Sequence, residues 1–423
     1  MKDSHFTDRP ALVIFLDAFG FPNGGGGATR ARLLAKALDA AGFEVTVVVS
    51  KALDSITSPK NSQQSGVSRS VKYRYLPGRT TRPTSFVGRR ASDVLGWTKA
   101  MATAFLAMSP SRRPKVLYLY SDSPFLCIPL YLISRIFRQV VVAELCEWRP
   151  DLPDTPWLHK WFNKTGLKFR CADRVFAISR ALEAKVTHDM GAISPSCVLR
   201  VPIMADPEEF RSLTLAARSR PYVLWSGAIS GYADSVMFLI RVAARCFAAG
   251  HDFDFLLLGS ADASVQHRLL QECDACNFPR DHLIFGGYRT GSELYGYYAG
   301  ATALLAPLGD DYRSRARFPT KIGEYLLCAR PVITNQVGDV GEFLTDGKNA
   351  LVAAPDDDAA FAQRMAFALD NPAEAARIGE NGRQTAIREF HYEAIAVRMR
   401  EFLSNVVLLQ SIKDKRSEIC KCS

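Results

Sequence analysis

The sequence predicts an α/β protein built from two doubly wound parallel-sheet domains, and three observations carry that expectation. The chain is 423 residues long, more than one hydrophobic core usually serves. Short apolar, β-branched runs alternate with helical stretches along its whole length, the rhythm of a parallel sheet covered by helices. The runs are continuously apolar rather than alternating, which requires both faces of each sheet to be covered.

In the first half the strand candidates are residues 11–16, 43–49, 116–120, 140–145 and 174–178. In the second half they are 222–226, 253–258, 283–285, 302–306, 331–334 and 350–353. Between them lie amphipathic helices. Leu34, Ala37, Leu38 and Ala41 keep helical spacing up to Gly42, and Val236, Leu239, Ile240, Ala243, Ala244 and Phe247 do so up to Gly250. The apolar run 125–137 reads as a buried helix flanking a strand. Residues 55–90, rich in Ser, Thr, Arg and Pro, break the rhythm and read as a long mobile insertion outside the core. Pro202 and Pro207 punctuate the chain near 201–210. The division is therefore a Rossmann-like domain over 1–203, a second over 204–410, and a solvated tail over 411–423. Each such unit offers a crevice at the carboxyl ends of its strands, and two facing crevices make one deep interdomain cleft.

A composition of 48% hydrophobic and 23% charged residues belongs to a folded chain and excludes a disordered one. No apolar run reaches the roughly 20 residues of a membrane span, and the N-terminus has no signal-peptide core, so a cytosolic protein is expected. The ten cysteines are scattered, and the Cys273/Cys276 pair has no second pair at zinc spacing. The histidines form no ligand cluster, so no metal is expected. Charge is uneven. Residues 1–205 hold 29 Lys and Arg against 15 Asp and Glu, an excess of 14, whereas the remaining 24 basic and 28 acidic residues leave −4. A basic first half faces something anionic or is simply solvated. No finger, helix-turn-helix or aromatic platform specifies nucleic acid. An anionic membrane surface or a phosphate-bearing lipid acceptor fits the charge, with Arg69, Lys72, Arg74, Arg79, Arg82, Arg89 and Arg90 as its contacts.

Three segments can carry chemistry. The first strand candidate runs into Gly24, Gly25, Gly26 and Gly27, directly before a helix starting near Ala28. Glycines let a ligand approach the backbone, and a helix N-terminus favours negative charge. Gly227 and Gly231 stand in the parallel position of the second half. The third segment is residues 313–352. There Pro319 suits a helix start, and Thr320, Lys321 and Glu324 continue it. Lys321 and Glu324 are spaced i, i+3 on one face. The cation suits a diphosphate and the carboxylate suits two ribose hydroxyls, although the same spacing also makes an ordinary surface ion pair.

The run FPTKIGEYLLCARPVI, followed by GEFLTDGKNALV, resembles the donor-binding segment of retaining glycosyltransferases of family 4, which have the two-domain GT-B fold. The GGGG loop, ADRVFAIS, MADPEEF, LLLGS, FGGY and ATALLAPL are similar to that family's landmarks in the same order. ELCEWRP at 144–150 resembles an acidic loop of a bacterial surface-polysaccharide branch and makes Glu147 the catalytic candidate. The resemblance implies that Glu324 binds the donor ribose and that Tyr288 lies near the base. It implies that Gly25, Gly26 and Gly227 flank the diphosphate and sugar, beside Thr320 and Lys321. Transfer would proceed without a protein nucleophile, cofactor or metal. The leaving phosphate would help to take the acceptor proton, with positioning and electrostatics supplied by the protein.

The chain departs from the family at three places. Ala316 stands where an acidic residue is usual, the Arg and Lys after the first strand of the second domain are missing, and Cys146 stands where a histidine is common. Lys321, Arg313, Arg315 and Arg317 are then the nearest cations for a diphosphate. The leading expectation is sugar transfer from a nucleoside diphosphate sugar to a glycan or lipid-linked acceptor. A catalytically silent binding protein and a sugar-nucleotide epimerase of the same architecture are the alternatives.

Overall fold

The computed structural model describes residues 9–56, 59–106, 116–148, 156–216 and 218–404. It divides into two units, Met1–Pro202 with Tyr392–Ser423, and Ile203–His391.

The first unit is an eight-stranded sheet. Its strands are β1 (Ala11–Leu16), β2 (Glu44–Val49), β3 (Ser65–Ser68), β4 (Val71–Tyr75), β5 (Val116–Tyr120), β6 (Val140–Leu145), β7 (Arg174–Ala177) and β8 (Val198–Arg200). Their order is β3-β4-β2-β1-β5-β6-β7-β8, parallel throughout except for the β3–β4 hairpin. The order reverses at β1, which pairs on one side with β2 and on the other with β5. Every residue of β5 and β6 is buried, as continuous apolar runs require.

Residues 55–90 correct the sequence reading: much of this stretch is built into the sheet. In β4, Val71, Tyr73 and Tyr75 are buried while Lys72 and Arg74 point outward. The Tyr75 hydroxyl accepts from the Phe21 N–H at 2.8 Å and donates to the Phe21 carbonyl at 3.0 Å. Asn61 donates to the Asp54 carboxylate and to the Asn23 carbonyl. The stretch therefore braces the loop after β1, and its far end starts a helix, Phe86–Leu106. Alternation over only five residues inside a polar segment hid the strand.

The second unit is a six-stranded, all-parallel sheet of β9 (Tyr222–Ser226), β10 (Asp254–Leu258), β11 (Leu283–Gly287), β12 (Ala303–Ala306), β13 (Val332–Asn335) and β14 (Leu351–Ala353). Its order is β11-β10-β9-β12-β13-β14, with the reversal between β9 and β12. The helix Ala233–Ala248 packs Val236, Leu239, Ile240 and Ala243 into the core with Val223, Trp225, Phe255 and Leu257.

The chain beyond His391 differs from the sequence-based division, which kept residues up to 410 in the second domain. From Tyr392 it is helical and returns to the first unit. There Arg400 donates to the carbonyls of Ala40 and Ala41 at 2.9 Å each, at the C-terminal end of the helix Gly26–Ala40. An amphipathic pattern shows which face of a helix is buried but not in which core. The tail 411–423 lies outside the described residues. No described helix is long and apolar enough to cross a membrane.

Candidate functional site

Doubly wound sheets bind ligands outside the carboxyl ends of the strands where the order reverses. In the second unit this is the exit of β9. Strand β9 ends at Ser226, whose N–H donates to the Tyr325 hydroxyl at 2.9 Å and whose hydroxyl lies 2.6 Å from that of Tyr298. Gly227 follows. A Cβ there would sit 2.8 Å from the Trp225 ring and 3.3 Å from the Lys321 amine, so only glycine lets the chain turn away beneath them.

Lys321 arrives from the helix Thr320–Leu327, which Pro319 precedes and which has neither a side-chain cap nor an acid in its first turn. Its first amides therefore lack a side-chain acceptor and suit an anion, while that of Ile322 donates to the Pro319 carbonyl at 3.0 Å. The Lys321 ammonium donates to the Ser226 carbonyl at 2.6 Å and stands 4.2 Å above the centre of the Trp225 ring. Burial, then the Arg317 guanidinium, pull its pKa from 10.5 down to about 7, against the opposing charge of Glu324. A cation so poorly solvated has much to gain from a polyanion. Glu324 lies one turn further along the same helix and is half-buried. Thr320, also half-buried, opens the helix.

Two of the three predicted arginines join this site. Arg313 and Arg317 both donate to the Tyr232 hydroxyl, at 3.1 and 2.9 Å, and both lie 5.2 Å from its ring centre. Tyr232 ends the 3-10 turn Ile229–Tyr232 that follows β9. The two guanidinium groups thus reach the place where the sequence lacks its expected Arg and Lys. The Nε of Arg317 is buried without a hydrogen-bond partner, a donor still awaiting an acceptor. Arg315 instead turns to Asp310 at 3.6 Å, because alternate positions of a short helix face different ways. Tyr288 stands half-exposed just past β11. The Gly259 N–H donates to the Gly287 carbonyl and the Gly227 N–H to that of Leu258, which binds the exits of β9, β10 and β11 together.

The remaining predicted residues belong to the first unit. Gly25 precedes the helix Gly26–Ala40, which has no side-chain cap, and the space where a Gly25 Cβ would project is open to 4 Å. Glu147 is exposed just after β6. The acid of that run held most firmly is Glu144, buried in an ion pair with Arg30 at 2.7 Å and accepting from the Tyr118 hydroxyl. Arg30 also donates to the carbonyls of Val201 and Pro202.

Sequence reasoning missed a second cluster, at the exits of β1 and β2. Asp17 is 5% exposed, with Oδ2 lacking a hydrogen-bond partner 3.4 Å from the Lys51 amine. Lys51 lies 5.5 Å from the Trp97 ring centre, Trp97 stacks on Phe125, and Phe125 meets His159 edge-on. Burial and the Lys51 charge hold the His159 imidazole below its ordinary 6.5, and its Nδ1 is buried without a partner. These residues are far apart in sequence, and only the position of Asp17 directly after a strand could have flagged them.

Comparison with known proteins agrees with the two-domain fold. Residues 25–203 match the family model described as glycosyl transferase 4-like domain, and residues 220–371 match glycosyl transferases group 1. Over 266 residues the chain is 23% identical to an MMP α-(1→4)-mannosyltransferase from Mycolicibacterium hassiacum, a match to 62% of this chain and 60% of that protein. It is 24% identical over 151 residues to an uncharacterized glycosyltransferase from Methanocaldococcus jannaschii, spanning 36% of this chain and 40% of that one. These matches thus span less than two thirds of the relatives' length. Among solved structures, sucrose-phosphate synthase from Thermosynechococcus elongatus superposes with a TM-score of 0.70 at 18% identity, over 95% of this chain and 100% of that one. Anabaena HepE in complex with UDP and glucose gives 0.63 at 18%, over 93% and 99%.

Proposed function

The chain belongs to the glycosyltransferase family 4-like proteins of GT-B fold, and from that premise we propose that it transfers a sugar from a nucleoside diphosphate sugar to a glycan or lipid-linked acceptor. The observation that carries this reading is the Lys321 ammonium, held over Trp225 at the exit of β9 with its pKa lowered to about 7. Arg313 and Arg317 stand on the adjoining Tyr232. A nucleoside diphosphate meets these groups in order. Glu324 accepts from the ribose hydroxyls. Lys321, Arg317 and the first amides of the helix, at Thr320 and Lys321, take the diphosphate as negative charge grows on the leaving group.

Departure of the diphosphate breaks the bond between the anomeric carbon and the phosphate oxygen. The acceptor oxygen bonds to that carbon, and its proton passes to the departing phosphate. Entry on the face that the phosphate leaves retains the configuration, and no protein nucleophile is required. Asp17 and His159 of the first unit are the acceptor-side candidates, since each presents a buried polar atom without a hydrogen bond, that of Asp17 facing the Lys51 amine at 3.4 Å. The aromatic pair Trp97 and Phe125 beside them offers a flat apolar face for a sugar ring.

Uridine nucleotides are the first donors to test, because the similar Anabaena protein was solved with UDP. The experiment is to incubate the chain with a panel of nucleoside diphosphate sugars and a bacterial lipid extract, and to measure released nucleotide. Acceptor-dependent release from one donor supports transfer. Tight nucleotide binding without release from any donor would instead identify a silent binding protein.

A further inference from the structure

The first unit exposes large apolar side chains on three of its helices. On Phe86–Leu106 they are Phe86, Val87, Val94, Leu95 and Phe105; on Pro124–Ile136, Phe125, Leu132 and Ile136; on Trp157–Lys164, both tryptophans. Val87 is 76% exposed, Trp157 75% and Ile136 72%. These values are unusual for side chains of this size in a soluble chain.

The exposure follows a pattern. Val87, Val94 and Phe105 are seven and eleven residues apart, so they fall within about 20° of one another on one helical face. The buried residues of that helix, Gly96, Ala100 and Ala104, lie on another side. The three helices also share a face of the sheet. They lead from β4 to β5, from β5 to β6 and from β6 to β7, always in the same direction across the strand order. Right-handed crossovers therefore place all three on one side. Side-chain contacts join them, with Trp97 stacked on Phe125, Phe105 edge-on to Phe137, and Phe125 edge-on to His159.

The charge on these helices has one sign. Arg89, Arg90, Lys99, Arg135, Lys160 and Lys164 stand against the single acid Asp93. Lys164 ends the tryptophan-bearing helix and lines a cavity of about 420 Å³ with Trp148, Arg170, Lys185 and Asp189. Apolar and tryptophan side chains projecting among cations are the chemistry of a surface that lies in a lipid headgroup layer. The aromatic rings settle at the boundary and the cations on anionic headgroups.

We propose that this three-helix face docks the chain on an anionic lipid bilayer, seating Val87, Val94, Leu132, Ile136, Trp157 and Trp161 in the headgroup boundary. The face differs from the one expected from charge alone. Of the basic residues singled out in the sequence, Arg90 borders it, packed on the Phe86 ring, whereas Arg89 turns to the Thr84 carbonyl and Lys72, on the inner strand β4, is engaged with Glu44 of β2. The inference stands independently of the transfer chemistry.

Vesicle sedimentation of the full chain tests it. With phosphatidylglycerol-containing vesicles at low salt the chain pellets and its tryptophan emission shifts to the blue; with purely zwitterionic vesicles binding is at least several-fold weaker. Trp157→Ala with Trp161→Ala lowers partitioning about tenfold or more. Val87→Ser with Val94→Ser does the same without removing a chromophore. Circular dichroism and nucleotide affinity stay at wild-type values in both variants. Failure of the wild-type chain to pellet, or unchanged pelleting of both variants, overturns the proposal. So does a second result: if the variants convert a dimer to a monomer in light scattering while vesicles bind none of the proteins, the face joins two copies of the chain.

Discussion

The lowered pKa of Lys321 makes donor affinity depend on pH in a direction that can be worked out in advance. In the ligand-free chain the amine titrates near 7. A diphosphate beside it favours the ammonium form and lifts its pKa, so binding takes up a proton. If the bound value exceeds 9, linkage makes the dissociation constant rise about tenfold between pH 6 and pH 8. Proton uptake grows over the same interval from about 0.1 to about 0.9 per ligand. The ligand should be an intact nucleoside diphosphate sugar. Its bridging phosphates do not titrate in this window, whereas a terminal phosphate does, near pH 6. Isothermal titration calorimetry in two buffers of different ionisation enthalpy gives the affinity and the proton count together. Lys321→Met, which keeps the packing on Trp225, should bind more weakly and lose the pH dependence. An affinity constant within twofold across the range, or the same profile in Lys321→Met, would refute the assignment of Lys321 to the phosphates. In the ligand-free protein the sign is independent of any ligand. The folded pKa lies below the unfolded 10.5, so between pH 7 and 10.5 the unfolded chain holds more protons and Lys321 makes stability rise with pH.

Three further outcomes are expected. Glu324→Ala should weaken nucleotide binding about ten- to a hundredfold, the loss of a charged-acceptor contact of about 1.5 to 3 kcal/mol, with the thermal transition intact; calorimetry decides, and unchanged affinity removes the ribose contact. Arg317→Ala should lower affinity for the same ligand several-fold, whereas Arg315→Ala should leave it unchanged, since of these two Arg317 reaches Tyr232 and Arg315 turns to Asp310; equal effects would contradict the geometry. Arg30→Met should destabilise the first unit by about 3 to 5 kcal/mol in urea unfolding, because it leaves Glu144 charged, buried and unpaired; a cost below about 1 kcal/mol would show that Glu144 accommodates its loss.

Eleven of the fourteen described strands and the Thr320–Leu327 helix were legible because their signals are local. Continuous apolar runs mark buried parallel strands, and a proline before a helical stretch marks its start. Lys321 and Glu324 could be paired on the same grounds, from spacing alone. What holds Lys321 was not legible: Trp225 reads as one more core aromatic on a strand, and only the fold turns its ring toward an amine 96 positions away. Tyr232 was invisible for the same reason, so the sequence could not separate Arg315 from Arg313 and Arg317. Strand β4 was missed because its outward residues, Lys72 and Arg74, resemble the polar stretch around them. Asp17, Lys51 and His159 come from three separate segments, and no periodicity joins residues across strand exits.

The contact of Arg400 with the end of the Gly26–Ala40 helix bears on the order in which the molecule is completed during its synthesis. The carbonyls of Ala40 and Ala41 are among those a helix leaves without partners at its C-terminus, where its dipole also favours a cation. They leave the ribosome early, but the guanidinium that meets them is encoded about 360 residues later. At 5 to 20 residues per second, the 189 residues of Ile203–His391 take about 10 to 40 s to translate. Throughout that interval the first sheet stands without its closing helix, while the second unit, contiguous in sequence, is complete before the first. A chain truncated after His391 and released should therefore protect the second unit from protease and leave the first open to cleavage.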